Sequence, residues 1–193
     1  MDCILAGVGG QGTVLASKVI ASVAMENGWQ VRTAETIGMA QRGGSVVSHV
    51  RIGRNIASPL IPPGKADVII GFEPGEAVRC LNYLRHGGAV VTSTMAVAPV
   101  SASLGGASYN GAAMLTYLRE NVKNLITVDG EGVCAAAGTA KVLNMALLGA
   151  AIGANALDIK AEHILKALET SVKPQFIAMN IEAFNRGLAA AGK

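Results

Sequence analysis

Apolar positions along the chain fall into two rhythms that alternate. Short, nearly unbroken apolar runs read as strands: Cys3-Ile4-Leu5-Ala6, residues 66–72 around Val68-Ile69-Ile70, residues 89–92 and residues 124–128. Residues 29–34 read as a further strand. Residues 46–52 alternate, with Ser48, Val50 and Ile52 on one face and Val47, His49 and Arg51 on the other. Between these runs the apolar residues recur at helical spacing. Residues 13–25 carry Leu15, Ala16, Val19, Ile20 and Val23 on one face, and residues 75–85 carry Val78, Leu81 and Leu84. Pro74 suits the first turn of that second helix, and His86-Gly87-Gly88 suits its end. Helices are also expected over 115–122, 139–154, 160–170 and 174–188, the last with Phe176, Ile177, Ile181 and Phe184 as its apolar face.

Stretches rich in glycine, proline and small polar residues punctuate the rest: 36–45, 53–55, 58–64, 93–111 and the Asp129-Gly130-Glu131-Gly132 turn. Strand and helix alternate, which predicts an α/β fold: a Rossmann-like, doubly wound, mostly parallel sheet flanked by helices, with further helices at the C-terminal end. No repeat or linker interrupts it, so residues 1–193 read as a single domain.

Such a sheet places the turns at 7–12, 35–45, 72–75 and 129–132 at the carboxyl ends of strands, where ligand crevices form. The first of these, Gly7-Val8-Gly9-Gly10-Gln11-Gly12, fits G-x-G-x-x-G between a strand and a helix. Glycines allow a sharp turn, close approach of a phosphate to the backbone, and tight helix–strand packing. The helix starting at Thr13 then offers unpaired N–H groups and a partial positive charge to an anion. Glu35 follows about where a dinucleotide site places its ribose-binding acid, so a stand-alone NAD(P)-dependent dehydrogenase is one reading of this pattern. The other is that the glycines only permit tight packing and Glu35 is a solvated loop acid.

Composition narrows the choice. Hydrophobic residues make up 51% and aromatic residues 4%, so the core is built of Ala, Val, Leu, Ile and Met. A net charge of +3 without a Lys/Arg block argues against nucleic acid. Cys3, Cys80 and Cys134 are far apart and form no C-x-x-C pair, which excludes a four-cysteine iron–sulfur cluster or zinc ribbon held by this chain alone. They read as buried, reduced thiols. The first residues show no signal-peptide pattern, and the apolar stretch 142–154 is shorter than the roughly 20 residues of a membrane span. The expectation is a cytoplasmic protein without membrane contact.

Candidate chemistry is sparse. Gln41-Arg42-Gly43-Gly44-Ser45 shares a rim with the glycine loop, and a guanidinium among glycines can grip a phosphate or carboxylate. His49 reads as a sheet histidine, His86 as a helix C-terminal cation and His163 as a residue of an amphipathic helix. Glu73 and Glu76 read as helix-start acids that favour the dipole. No nucleophile motif is present, and no Asn-Asn pair follows Asp129-Gly130 to complete a diphosphate–magnesium motif. A ligand crevice without a catalytic set points to a binding subunit.

The glycine loop, the stretch from Glu35-Thr36-Ile37-Gly38-Met39-Ala40 through Gln41-Arg42-Gly43-Gly44-Ser45-Val46, and Ser48-His49-Val50-Arg51-Ile52-Gly53 together resemble the gamma domain of the 2-oxoacid:ferredoxin oxidoreductases. The likeness spans nearly the whole chain, including residues 66–73 and the tail from Lys173-Pro174 through Asn180, Ala183-Phe184 and Gly187. Within the family it is nearest the free-standing small subunits of the indolepyruvate branch. The resemblance implies a larger alpha subunit that holds thiamine diphosphate, magnesium and 4Fe-4S clusters and decarboxylates an arylpyruvate. The acyl group passes to coenzyme A and electrons to ferredoxin. It implies that this chain binds coenzyme A, covers the thiamine site and works in a hetero-oligomer, with a homodimer as the form of the isolated chain. Gly7, Val8, Gly9, Gly10, Gln11, Gly12 and Thr13 would receive coenzyme A together with Gly43, Gly44 and Ser45. Lys18 would add a contact, and Gln41 and Arg42 would face the partner's active site. Subunits serving pyruvate, 2-oxoisovalerate or 2-oxoglutarate share this pattern, which leaves the oxoacid open.

Overall fold

The computed structural model describes residues 1–37, 44–98 and 109–191. Six strands form one sheet in the order β2-β3-β1-β4-β5-β6: β1 Asp2–Val8, β2 Gln30–Ile37, β3 Ser45–Gly53, β4 Ala66–Gly71, β5 Leu84–Ser93 and β6 Asn124–Val128. β1, β4, β5 and β6 run parallel, and β3 is antiparallel to both β1 and β2. The mostly parallel α/β sheet anticipated from the alternation is therefore present, with β3 as its one reversed strand. The reason is length. Residues 38–44 between β2 and β3 are too few for a crossover, which takes a dozen or more, so β3 turns back and slots between β2 and β1.

Helices cover both faces. The larger apolar core lies under α1 Thr13–Glu26, α5 Leu143–Gly153, α6 Ala161–Ser171 and α7 Pro174–Ala191, and it receives Cys3, Leu5, Val68 and Ile70 from the sheet. The smaller core takes the alternate residues Ile4, Ala6 and Ile69 against α2 Pro74–Arg79 and α3 Gly111–Asn121. This period-two division is what central strands with both faces covered require. No helix among the described residues is long and apolar enough to cross a membrane.

Several expected elements differ. The helix expected over 75–85 stops at Arg79, followed by a 3₁₀ turn Leu81–Tyr83, and β5 already begins at Leu84. His86 therefore sits exposed in a strand and not at a helix end. Its neighbour Gly87 has φ +74° and accompanies a break in the β4–β5 register, while Asp67 pairs with Arg85 at 2.6 Å across it. The glycines thus permit an irregular strand. Asp129 through Gly132 is the start of a helix: the Asp129 carboxylate accepts the Gly132 N–H at 2.9 Å and caps α4 Gly130–Ala137, which offsets the poor helix propensity of two glycines. The expected helix 139–154 divides into a 3₁₀ turn Ala140–Val142 and α5. In α7 the buried face is Asn180, Ala183, Phe184 and Gly187, whereas Phe176 is exposed. Glycine explains that shift, since a Cβ on Gly187 would strike the Ala146 carbonyl of α5.

Candidate functional site

The glycine loop leaves β1 at the carboxyl edge and is largely bonded to itself. The Gln11 side chain accepts the Val8 N–H at 2.7 Å and donates to the Phe72 carbonyl at 3.3 Å, and the Gln11 N–H returns to the Val8 carbonyl at 3.1 Å. The Gly9 N–H is taken by the Gly44 carbonyl at 2.9 Å. Gln11 is thus a brace for the loop. Gly7 serves packing, because a Cβ there would lie 2.8 Å from the Phe72 Cβ and 3.0 Å from the Thr13 methyl. Gly10 and Gly12 serve conformation, with φ of +100° and +87° in the left-handed region that glycine tolerates.

What the loop leaves over is a set of donors. The N–H groups of Gly10, Gly12, Thr13, Val14 and Leu15 find no acceptor among the described residues. Gly12 occupies the N-cap of α1 and supplies no side-chain cap, and the first turn of α1 holds no acid. By contrast α2, α3 and α4 are capped by the side chains of Glu73, Asn110 and Asp129. An uncapped, uncompensated helix N-terminus behind a glycine turn has the electrostatics of an oxyanion site. Asn144, the second residue of α5, is buried beside it: its Nδ2 lies 2.9 Å from the point a Gly12 Cβ would occupy.

The second expected rim stretch is described only in part. Gln41, Arg42 and Gly43 lie outside the described residues, as does the rest of 38–43. Gly44 and Ser45 are described and do adjoin the glycine loop, Gly44 through its carbonyl and Ser45 opposite Val8 in the β1–β3 register. The Ser45 hydroxyl donates to Glu76 Oε2 at 2.5 Å, and Arg79 Nε approaches the same oxygen at 3.4 Å.

Glu73 and Glu76 are more than solvated helix-start acids, for both side chains are buried. The Glu73 carboxylate accepts the Glu76 N–H at 3.0 Å through Oε2 and the Tyr109 phenol through Oε1. The Gly75 N–H donates to the Tyr109 oxygen at 3.2 Å. Burial, then the bond to the Glu73 carboxylate and its charge, push the Tyr109 phenol up, so it remains the donor. These carboxylates tie Ser45 and Tyr109, two residues distant in sequence, onto one helix start beside the glycine loop. Acids spaced three apart around Pro-Gly signal a capped helix start; their burial depends on residues far along the chain.

Other candidates lie away from this rim. Glu35 stands inside β2 opposite Ser48, which itself faces Leu5 of β1. That level is three residues, roughly 10 Å, below Val8, and β3 separates it from β1. Its carboxylate meets the Ser17 hydroxyl at 3.3 Å. Lys18 is exposed on α1. His49 is buried in β3, accepts the Ile61 N–H at 3.2 Å through Nδ1 and meets the Tyr83 ring edge-on; burial lowers its pKa from the ordinary value. Burial pushes the Cys80 thiol up to about 11 and raises Cys3 and Cys134 as well. Cys3 and Cys80 occupy opposite faces of the sheet, which no shared cluster can span.

A groove of about 680 Å³ opens at the opposite, amino edge of β1, lined by Trp29, Asn27, His163 and Lys160 among others. In it Asn27 donates to the Val23 carbonyl and meets His163, and Lys160 approaches Glu162 at 3.7 Å. The carboxyl edge, where backbone donors are left over among the described residues, is the better candidate for an anion.

Residues 2–190 match the model of the family described as pyruvate ferredoxin/flavodoxin oxidoreductase. The chain belongs to this family. Among its curated relatives in the family is the indolepyruvate oxidoreductase subunit IorB of Pyrococcus horikoshii, 37% identical over 192 residues, covering 98% of this chain and 95% of the relative. The pyruvate/ketoisovalerate oxidoreductases common subunit gamma of Thermococcus kodakarensis is 26% identical over 189 residues, covering 93% of each. Of solved structures, the pyruvate oxidoreductase subunit PORC of Thermotoga maritima shares the fold of this family member with a TM-score of 0.73 at 21% identity, over 98% of this chain and 95% of that one. The 2-oxoglutarate:ferredoxin oxidoreductase of Magnetococcus marinus, solved with 2-oxoglutarate, coenzyme A and succinyl-CoA bound, shares it with a TM-score of 0.71 at 19% identity, over 99% of this chain and 31% of that one.

Proposed function

We propose that this chain is the small, gamma-type subunit of an oxoacid:ferredoxin oxidoreductase acting on arylpyruvates, and that it holds coenzyme A over the thiamine site of a larger partner. The observation that carries the reading is the cluster of unused N–H donors at the start of α1, in a chain whose likeness to an IorB subunit runs end to end. Phosphoryl oxygens are the acceptors such donors suit: the N–H groups of Gly12, Thr13 and Val14 orient the carrier, and the loop's internal bonds keep them aimed. Thiamine diphosphate with magnesium supplies decarboxylation, and 4Fe-4S clusters relay electrons to ferredoxin, all in the partner. This chain's residues bind, orient and exclude water. The roles we assign are contact with the partner's active site for Gln41 and Arg42, and contact with the carrier for Gly43, Gly44 and Ser45. The arylpyruvate assignment rests on the higher identity to the indolepyruvate relative than to the pyruvate/ketoisovalerate one.

The test is reconstitution with the thiamine-bearing subunit, followed by the rate of acyl-CoA formation from indolepyruvate, phenylpyruvate, pyruvate, 2-oxoisovalerate and 2-oxoglutarate. The reading expects arylpyruvates to exceed the others by at least tenfold in kcat/KM, a gap of about 1.4 kcal/mol. A profile led by pyruvate or 2-oxoglutarate contradicts it, as does nicotinamide reduction by the chain alone. In the same assay Arg42→Ala is expected to lower the rate at fixed assembly. An unchanged rate removes Arg42 from the site.

A further inference from the structure

Asn144 is a polar side chain with no evident business in its helix. α5 is apolar around its whole circumference, and every described residue from Leu143 to Ile152 is buried. Asn144 is itself 98% buried, being only 2% exposed. Its Oδ1 accepts the Met145 N–H at 2.9 Å. That bond fixes the amide's orientation, because only the oxygen can accept from a donor, so the Nδ2 must be the end that faces Gly12. The side chain's one hydrogen bond among the described residues is through Oδ1, and Nδ2 is not one of the fully enclosed polar atoms left without a partner.

The neighbourhood makes this more than a packing accident. Nδ2 stands 2.9 Å from the point where a side chain on the N-cap of α1 would begin. An N-cap side chain normally brings an oxygen to the helix's free N–H groups. Here the space holds another N–H donor, beside helix N–H groups that have no acceptor among the described residues. An acceptor brought from outside satisfies both sets at once.

We infer that Asn144 is a ligand-binding residue whose Nδ2 joins the α1 N-terminus in gripping an oxyanion. This rests on the coenzyme A reading above and adds to it a residue from a helix 130 positions along the chain. Two sources can supply the oxyanion, a phosphoryl group of the acyl carrier or the carboxylate of the oxoacid. The carrier's phosphoryl suits the site better, since it offers several oxygens to donors arriving from two helices.

The experiment uses the reconstituted complex with Asn144→Asp, and with Gly10→Asp on the glycine loop as a separate control. Asn144→Asp keeps the shape and keeps an oxygen for the Met145 N–H, but it sets a carboxylate where the ligand's oxyanion belongs. The protein then supplies its own anion to the α1 N-terminus. The expected result is opposed in sign: the thermal midpoint is held or raised, while KM for coenzyme A rises about tenfold or more. Varying the oxoacid at saturating coenzyme A distinguishes the sources, because a rise confined to the oxoacid's KM assigns the oxyanion to its carboxylate. Loss of assembly or a lowered midpoint overturns the inference, because it shows the amide serving a purely structural contact. If Gly10→Asp weakens coenzyme A and Asn144→Asp moves neither KM, the loop reading stands and Asn144 has no part in it. If neither variant moves either KM, both fall together.

Discussion

Gly12 answers to two constraints at once: a φ of +87° and the nearness of the Asn144 amide. Gly12→Ala is therefore expected to cost about 1–2 kcal/mol for the left-handed backbone alone, with more for moving Asn144. Urea denaturation measures it, and a loss below about 0.5 kcal/mol would contradict the assigned backbone. At the same scale His49 gives a pH prediction. Burial lowers its pKa below 6.5, so between that lowered value and 6.5 the unfolded chain holds a proton that the folded chain does not. Its contribution to stability is complete above 6.5 and is lost as pH falls through this window. Melting curves between about pH 5 and 7 should fall on acidification and flatten in His49→Phe; an identical slope removes His49 as the source. Single residues of the site were unevenly legible. The spacing of Gly7, Gly9 and Gly12 is local, so sequence alone exposed it. Asn144, Glu73, Glu76 and Tyr109 gain their roles from neighbours 31 or more positions away, such as Ser45 on Glu76, and no short pattern encodes those pairings.

At the level of elements, local rules succeeded where one signal governed a segment. β1 and α1 followed from an apolar run, a glycine turn and helical spacing. They failed where two signals competed. Gly130 and Gly132 argue for a turn, yet the Asp129 cap turns them into the start of α4. Gly87 and Gly88 argue for a helix end, yet pairing with β4 extends the chain through them. The α5–α7 contact shows tertiary packing deciding a face that periodicity alone misjudges. Gly149, Gly153 and Gly187 let the two backbones meet, and Phe184 fills the remainder. Gly187→Ala forces a methyl group into the Ala146 carbonyl and is expected to destabilise by about 1–3 kcal/mol. Chemical denaturation tests this, and a neutral result would mean that α7 sits farther from α5 than described.

For the whole molecule, the alternation of strands and helices announced a mostly parallel sheet, and the sheet order is consistent with it. The reversed β3 was not announced, because direction depends on the connection and not on the strand's own residues. Its insertion matters for function. It moves β2 and Glu35 one strand away from the glycine loop and puts Gly44 and Ser45 there instead. A fold that opens like a dinucleotide domain thereby presents a rim of glycine, serine and buried carboxylates on the side proposed to meet a larger subunit. The central claim is that this rim holds the acyl carrier's oxyanion. It is tested most directly by titrating coenzyme A calorimetrically into the reconstituted complex bearing wild-type or Gly10→Asp chain. Gly10 is suited to this because a side chain there meets open space and Asp tolerates the left-handed region better than most residues. The account predicts affinity at least tenfold weaker in the variant, about 1.4 kcal/mol; equal affinity for both would contradict it.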